Sequence, residues 1–182
     1  MVNYSDNELL DMFFEGDNPD YAFNLIIRKF QKQLYWHIRR LVIVHDDADD
    51  ILQEVFVKAW MALPGFRRAS NLYTWLYRIA TNEALTFLRK KRKRFFLPIH
   101  DVEKQLAEAL EADVWYEGDA MEKIIQKAIL SLPEKQRVVF LLRYHDEMKY
   151  EDMANILDTS VGALKASYHH AAKKIEKFIN PD

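Results

Sequence analysis

Apolar side chains recur three and four residues apart along most of this chain, the spacing that puts them on one face of an α-helix. Leu9, Leu10, Met12, Phe13 and Phe14 predict a short amphipathic helix within residues 4–14. Asn18 followed by Pro19 predicts a helix start, a capping side chain with proline at the first helical position. From there Tyr21, Phe23, Leu25, Ile26, Phe30, Leu34, Ile38 and Leu41 keep helical spacing to about Val44, with Arg28, Lys29, Lys32, Arg39 and Arg40 expected on a solvated face. His45 and Asp46 open the next helix, whose first turn gathers Asp46, Asp47, Asp49 and Asp50 where the helix dipole favours anions. Its core side is Ile51, Leu52, Val55, Phe56 and Ala59.

The stretch from Asn71 to Arg94 reads as another amphipathic helix. Leu72, Trp75, Leu76, Ile79, Ala80 and Phe87 gather on one side, and Thr74, Arg78, Thr81, Asn82 and Arg89 form a polar stripe opposite. It runs into Arg89, Lys90, Lys91, Arg92, Lys93 and Arg94 without a break. Residues 95–120 then lose the pattern, contain Pro98 and Gly118, and read mainly as a linker with room for a short helix around Val102 to Leu110.

Periodicity resumes near Met121 with Ile124, Ile125, Ala128 and Ile129. Ser131 and Glu134 predict a capping box for a helix with Val138, Val139, Leu141 and Leu142 inside. A short helix from Tyr150 to Leu157, a turn of Asp158, Thr159 and Ser160, and a last helix from Val161 to about Phe178 have the dimensions of a helix-turn-helix. The last helix is expected to bury Val161, Leu164, Tyr168, Ala171, Ala172, Ile175 and Phe178.

Composition narrows the class. Only 4 Gly and 5 Pro argue against a turn-rich β fold and leave no glycine-rich phosphate loop, and 0 Cys excludes thiolate zinc sites, disulfides and thiol catalysis. There is no signal-peptide core and no apolar run long enough to cross a bilayer, so a cytoplasmic chain is expected. The fold class is therefore all-α: two helical domains, 1–94 and 121–182, joined by an acidic linker, 95–120, the second a helix-turn-helix DNA-binding domain. The net charge of -2 hides a division. Residues 1–94 carry 15 Lys+Arg against 12 Asp+Glu, the linker 1 against 7, and residues 121–182 carry 10 against 9. The overall acidity thus belongs to the linker and says little about what the two ends bind.

Four features offer chemistry. Six consecutive cations need a polyanion or free solvent, and a solvated helix end is the simpler alternative for such a run taken alone. Phe66 beside Arg67 and Arg68, in a connector marked by Pro64, Gly65 and Ser70, fits a stacking site for unpaired bases, and Phe66 fits a core role equally well. The stripe Asp50, Gln53, Glu54, Val57 and Met61 mixes acids with apolar side chains, as a protein interface does, and scattered apolar residues on a solvated face do the same. On the last helix Gly162, Ala163 and Ala166 let the backbone sink into a groove, flanked by Lys165, His169, His170 and Lys173 as donors to phosphates and base edges. Metal chemistry at His45 and Asp46 lacks companions: His37 is the only histidine upstream and His100 falls in the irregular segment, so capping and dipole roles are expected for these acids. His169 and His170 are neighbours, about 100 degrees apart on a helix, and cannot readily share an ion.

Taken together, DDILQEVFVKAW, TWLYRIATNEALTFLRKKRKR, LPEKQRVVFLLRYHDEMKYEDMANIL and SVGALKASYHHAAKKI resemble the extracytoplasmic-function group of the sigma-70 family, the promoter-recognition subunits of bacterial RNA polymerase. The resemblance covers nearly the whole chain, in order. It implies a sigma factor without catalytic activity or cofactor, whose partners are core RNA polymerase and promoter DNA, with room for an anti-sigma factor. It further implies that Asp50, Gln53, Glu54, Val57 and Met61 dock on the polymerase clamp helices. Phe66, Arg67, Arg78, Asn82, Arg89 and Lys90 would melt and read the minus-10 element. Lys165, Ala166, His169, His170 and Lys173 would read the minus-35 element, their domain also touching the polymerase flap. The linker resembles the connector that threads toward the RNA path. Asp158 stands where the turn often has glycine, Lys149 where a capping hydroxyl is usual, and Tyr168, His169 and His170 where arginine is frequent, so no promoter sequence carries over. The alternative is a helix-turn-helix regulator whose first domain binds a ligand or dimerises; a metal-dependent hydrolase is the more distant rival.

Overall fold

The computed structural model describes residues 4–94, 99–113 and 120–180, with only the backbone of 99–102. All secondary structure among them is helical: α1 (Asp6–Glu15), α2 (Pro19–Val42), α3 (His45–Ala62), a 3-10 turn (Leu63–Gly65), α4 (Leu72–Arg94), α5 (Ile99–Glu111), α6 (Ala120–Leu130), α7 (Glu134–Tyr144), α8 (Tyr150–Leu157) and α9 (Val161–Ile179). The linker positions Pro98, Glu117, Gly118 and Asp119 lie outside the described residues.

The starts have local causes. Ser5 and Glu8 form a reciprocal capping box on α1, the Ser5 amide donating to the Glu8 carboxylate at 2.7 Å and the Glu8 amide to Ser5 Oγ at 3.3 Å. Asn18 Oδ1 accepts from the Tyr21 amide at 2.9 Å, which fixes the entry of α2 as expected. Helices α1 to α4 then pack around α2, whose Ala22, Phe23, Ile26, Phe30, Leu34, Ile38 and Leu41 are buried along one continuous stripe. Helices α6 to α9 form the second cluster, around Ile129, Leu141, Leu142, Met153, Leu164 and Ala171.

Four expectations change. The capping box at Ser131 and Glu134 does not form: α7 starts behind Pro133, Ser131 Oγ donates back to the Ala128 carbonyl at 2.7 Å, and Glu134 accepts from Arg89 instead. Its place is taken by Arg137, which is buried and donates to the carbonyls of Leu130 at 2.7 Å and Leu132 at 3.1 Å, closing the turn between α6 and α7. Arg39 is not on a solvated face; it is 1% exposed and ion-paired with Asp113. Ile124 and Phe178 are exposed rather than core, because α6 and α9 each present only one side to their neighbours.

The linker is the fourth. Its described part is mostly the 13-residue helix α5, so His100 sits in a helix rather than an irregular segment. Leu106 and Leu110 are buried, and among the described acids of this segment Glu103, Glu111 and Asp113 meet cations from other elements. Glu111 is ion-paired with Lys127 and, at 3.3 Å, with Lys123, and those two hold its carboxyl below the usual range. Glu103 lies 3.5 Å from Arg137.

Candidate polymerase and nucleic-acid interfaces

Three surfaces carry the residues singled out in the sequence. The first is the outer side of α3. Burying Ile51, Val55, Phe56 and Ala59 against α2 and α4 leaves Asp50, Gln53, Glu54, Val57 and Met61 together on the exposed side. Val57 is 52% and Met61 75% exposed, a costly placement for apolar side chains that nothing among the described residues covers. Trp60 extends the patch at 39% exposure, its ring packed edge-on against Phe13 and Phe23. Periodicity could not flag Trp60, since it lies between the core and outer stripes. Lys58 bridges to Glu83 of α4 at 2.7 Å and fixes the orientation of this side.

The second surface is α4 and the loop before it. Asn71 Oδ1 accepts from the Thr74 amide at 2.6 Å and starts the helix. In the loop, Arg67 is exposed, while Phe66 is half-buried with its ring 5.1 Å from Trp75. Arg68 has a left-handed backbone, φ 55, and its guanidinium reaches Asp11 at 2.6 Å and the Phe14 ring. A hollow of 450 Å³ opens between this loop and Ser5, Asp6 and Asn7 of the first helix, residues that the pattern of the loop alone had no way to include.

Along α4 the expected polar stripe divides. Arg78, Asn82, Arg89 and Lys90 are exposed, but Thr74 and Thr81 are buried at 2% and 0%. Thr74 meets the second domain, whereas Thr81 meets α2. Thr74 Oγ1 donates to Asp152 of α8 at 3.0 Å, and Thr81 Oγ1 lies 2.9 Å from Nε2 of the buried His37. The His37 Nδ1 is 2.8 Å from the carboxylate of Asp146, in the loop before α8, to which the Tyr77 phenol also donates at 3.3 Å. Burial, and then the Asp146 charge, raises the Tyr77 pKa and keeps it a donor. Of the basic run, Arg89 donates to Glu134 at 3.0 Å and Lys91 to Asp47 at 3.0 Å. Arg78, Asn82 and Arg89 therefore line a cleft of 640 Å³ whose other wall is Asp158, Thr159, Ala163 and Ser167.

The third surface is α9. Ser160 Oγ accepts from the Ala163 amide at 3.3 Å, and Asp158 takes the left-handed conformation, φ 50 and ψ 51, that the tight turn requires. Lys149, at the start of α8, makes no side-chain cap. With Leu164, Ala171 and Ile175 turned inward, Lys165, Ala166, His169, His170 and Lys173 are all exposed on the outer side. Added atoms at Gly162 would meet open space, so the helix start is unobstructed. The Lys165 ammonium lies 5.7 Å from the centre of the Tyr150 ring.

A helix-turn-helix with an exposed outer side, joined to a helical domain ending in a basic helix, is the arrangement found in a known group of proteins. The sigma-70 region 2 family model matches residues 26–94, and the sigma-70 region 4 model matches residues 122–175. The chain belongs to the sigma-70 family. It is 33% identical to the RNA polymerase sigma-H factor of Pseudomonas aeruginosa, over 100% of this chain and 97% of that protein. It is also 33% identical to the ECF RNA polymerase sigma-E factor of Escherichia coli K12, over 97% of this chain and 95% of the other. Among solved structures, CnrH in complex with the cytosolic domain of CnrY matches with a TM-score of 0.72 at 23% identity, covering 97% of this chain and 98% of that one. The sigma factor RpoE in complex with the anti-sigma factor NepR from Bartonella quintana matches with a TM-score of 0.69 at 23% identity, over 88% of this chain and 98% of that one. The sigma factor is of the extracytoplasmic-function group and serves transcription initiation with core RNA polymerase and promoter DNA as partners. No helix among the described residues is long and apolar enough to cross a membrane.

Proposed function

We propose that this sigma factor divides its work among the three surfaces. The α3 patch of Asp50, Gln53, Glu54, Val57 and Met61, extended by Trp60, docks on the clamp helices of core polymerase. Phe66, Arg67, Arg78, Asn82, Arg89 and Lys90 hold the opened minus-10 strand, with residues 1–94 acting as the unit that melts DNA. Lys165, Ala166, His169, His170 and Lys173 enter the major groove at the minus-35 element, and residues 121–182 form the unit that also meets the flap. The acidic segment 95–120 connects them. The chain performs no catalysis of its own and works in the cytoplasm, where an anti-sigma protein is a further partner.

The observation that carries the docking assignment is the exposure of Val57 and Met61 in a stripe otherwise made of acids and amides. Apolar side chains left in water without internal purpose are explained by a partner that covers them. The test is capture of core RNA polymerase by the full chain and by an Asp50→Ala, Gln53→Ala variant. Losing two polar contacts at the rim of such a patch is expected to weaken capture about tenfold, or roughly 1.4 kcal/mol. Equal capture by the variant moves the docking surface off α3.

A further inference from the structure

Helix α9 carries Lys165, Lys173, Lys174 and Lys177 against a single acid, Glu176, and in its middle stand His169 and His170. Both histidines are exposed, with ring centres 6.0 Å apart, and among the described residues neither ring forms a hydrogen bond or an ion pair. Their position on the helix gives them a use. Leu164, Ala171 and Ile175 turn into the domain, so the line through Ala166 and Lys173 is the outermost one. At about 100 degrees per residue, His169 and His170 fall on opposite sides of that line. A helix laid in a major groove turns its outermost line to the base edges and its flanks to the phosphate strands. One imidazole therefore faces each strand.

The charges around them come from three packed helices, α6, α7 and α8. On the flank of Lys165 and His169, α8 supplies Tyr150, and Arg143 of α7 lies 5.3 Å from the same ring, with Tyr144 of α7 near Tyr168. On the flank of His170, α7 supplies Glu134, which accepts from Arg89, together with Lys135 and Gln136, the last accepting from Lys174 at 3.0 Å, and Asp158 follows α8. Helix α8 also carries Glu151 and Asp152, the latter held by Thr74, and α6 carries Glu122, Lys123 and Lys127, its two lysines held by Glu111. Among the described residues, no carboxylate of these helices pairs with either imidazole. A proton gained by either ring is left to be matched from outside.

Lys165 and Lys173 give this face a fixed charge, whereas imidazole is the side chain whose charge ordinarily changes between pH 5 and 8. A neutral ring offers one donor and one acceptor; a protonated ring offers two donors. Phosphate oxygens and the N7 and O6 atoms of guanine only accept, so a duplex favours the protonated form. We propose that His169 and His170 make minus-35 binding proton-linked: the two rings take up protons as α9 meets the duplex, and the grip tightens as pH falls. This deepens the assignment of α9 as the minus-35 reader and rests on it.

The test is anisotropy of a fluorescein-labelled duplex of random sequence, about 25 base pairs long, titrated with the full chain. The wild type is expected to bind at least about fivefold more tightly at pH 6 than at pH 8, and its slope of log affinity against log salt to steepen by about 1 to 2 over that range. The His169→Gln, His170→Gln variant should lose most of that gain, and the His169→Arg, His170→Arg variant should bind with little dependence on pH. His37, His45, His100 and His145 are present in all three chains, so the difference isolates the pair. A flat wild-type profile, or an equal gain in the glutamine variant, overturns the proton linkage. If either occurs while Lys165→Ala still weakens binding, α9 remains the duplex-binding face; if Lys165→Ala has no effect as well, that assignment falls with it.

Discussion

Helices α4 and α9 carry the two candidate DNA-reading faces, and they stand in opposite circumstances. On α9 a narrow apolar stripe, Leu164, Ala171 and Ile175, holds the helix down, and Lys165, Ala166, His169, His170 and Lys173 on the opposite side are exposed. On α4 the burial wraps further around, taking in Tyr77, Thr74 and Thr81, so the same polar stripe serves both the other domain and the exposed Arg78, Asn82 and Arg89. A face used for one purpose is read from periodicity; a face used for two looks in sequence like a single polar stripe.

The contrast can be broken most forcefully at the base of α9. Leu164 is 1% exposed, and Leu164→Ala should destabilise the chain by about 2–5 kcal/mol, the usual result of removing a buried leucine side chain. A urea melt showing less than about 1 kcal/mol would mean that the open face is not held from beneath in this way.

Acid should act more gently, where the loop between α7 and α8 meets α2 and α4. Burial, then the nearby Arg40 charge, lowers the His145 pKa to about 4, with Asp146 opposing them. His145 is thus neutral when folded, whereas the unfolded chain takes up a proton near the ordinary histidine value of about 6.5. Stability tied to this group should be intact above about pH 6.5 and fall as pH drops toward about 4, by on the order of 1 kcal/mol once partial exposure is allowed for. Unfolding midpoints at pH 7.5 and 5 for the wild type and His145→Gln check this; an equal acid loss in both would remove His145 from the account.

The smallest effect sharpens the comparison most. Lys165→Ala should weaken binding of duplex DNA by the free chain with little regard to sequence, and lower the slope of log affinity against log salt by about 1. Arg78→Ala should leave that binding unchanged, its effect emerging only in the polymerase complex. Fluorescence anisotropy over a salt series measures both, and similar losses for the two variants would contradict the assignment of duplex binding to α9 alone.

Much of the fold was legible because its signals are local. Asn18 and Pro19 start α2, Tyr150 and Leu157 bound α8, and Asp158 adopts the left-handed turn, each set by neighbours in sequence. What stayed hidden depends on distant partners. Arg39 reads as a surface cation until Asp113 is brought to it, Thr81 as a stripe residue until His37 meets it, and Glu134 as a cap until Arg89 takes it. The exposed site residues on α3 and α9 were visible because outward positions of a helix follow from its inward ones. Trp60, and the wall that Ser5, Asp6 and Asn7 add beside the loop before α4, required the packing of α1.

Helix α5 has a further consequence, in length. As a helix its 13 residues span about 20 Å, and drawn out they reach about 45 Å. It is held by two buried leucines and by ion pairs of Glu111 with Lys123 and Lys127, contacts of modest size at an exposed site. The connector is thus a coiled tether carrying about 25 Å of slack, paid out when α5 lets go of α6, and its grip sets how far apart the two domains can stand.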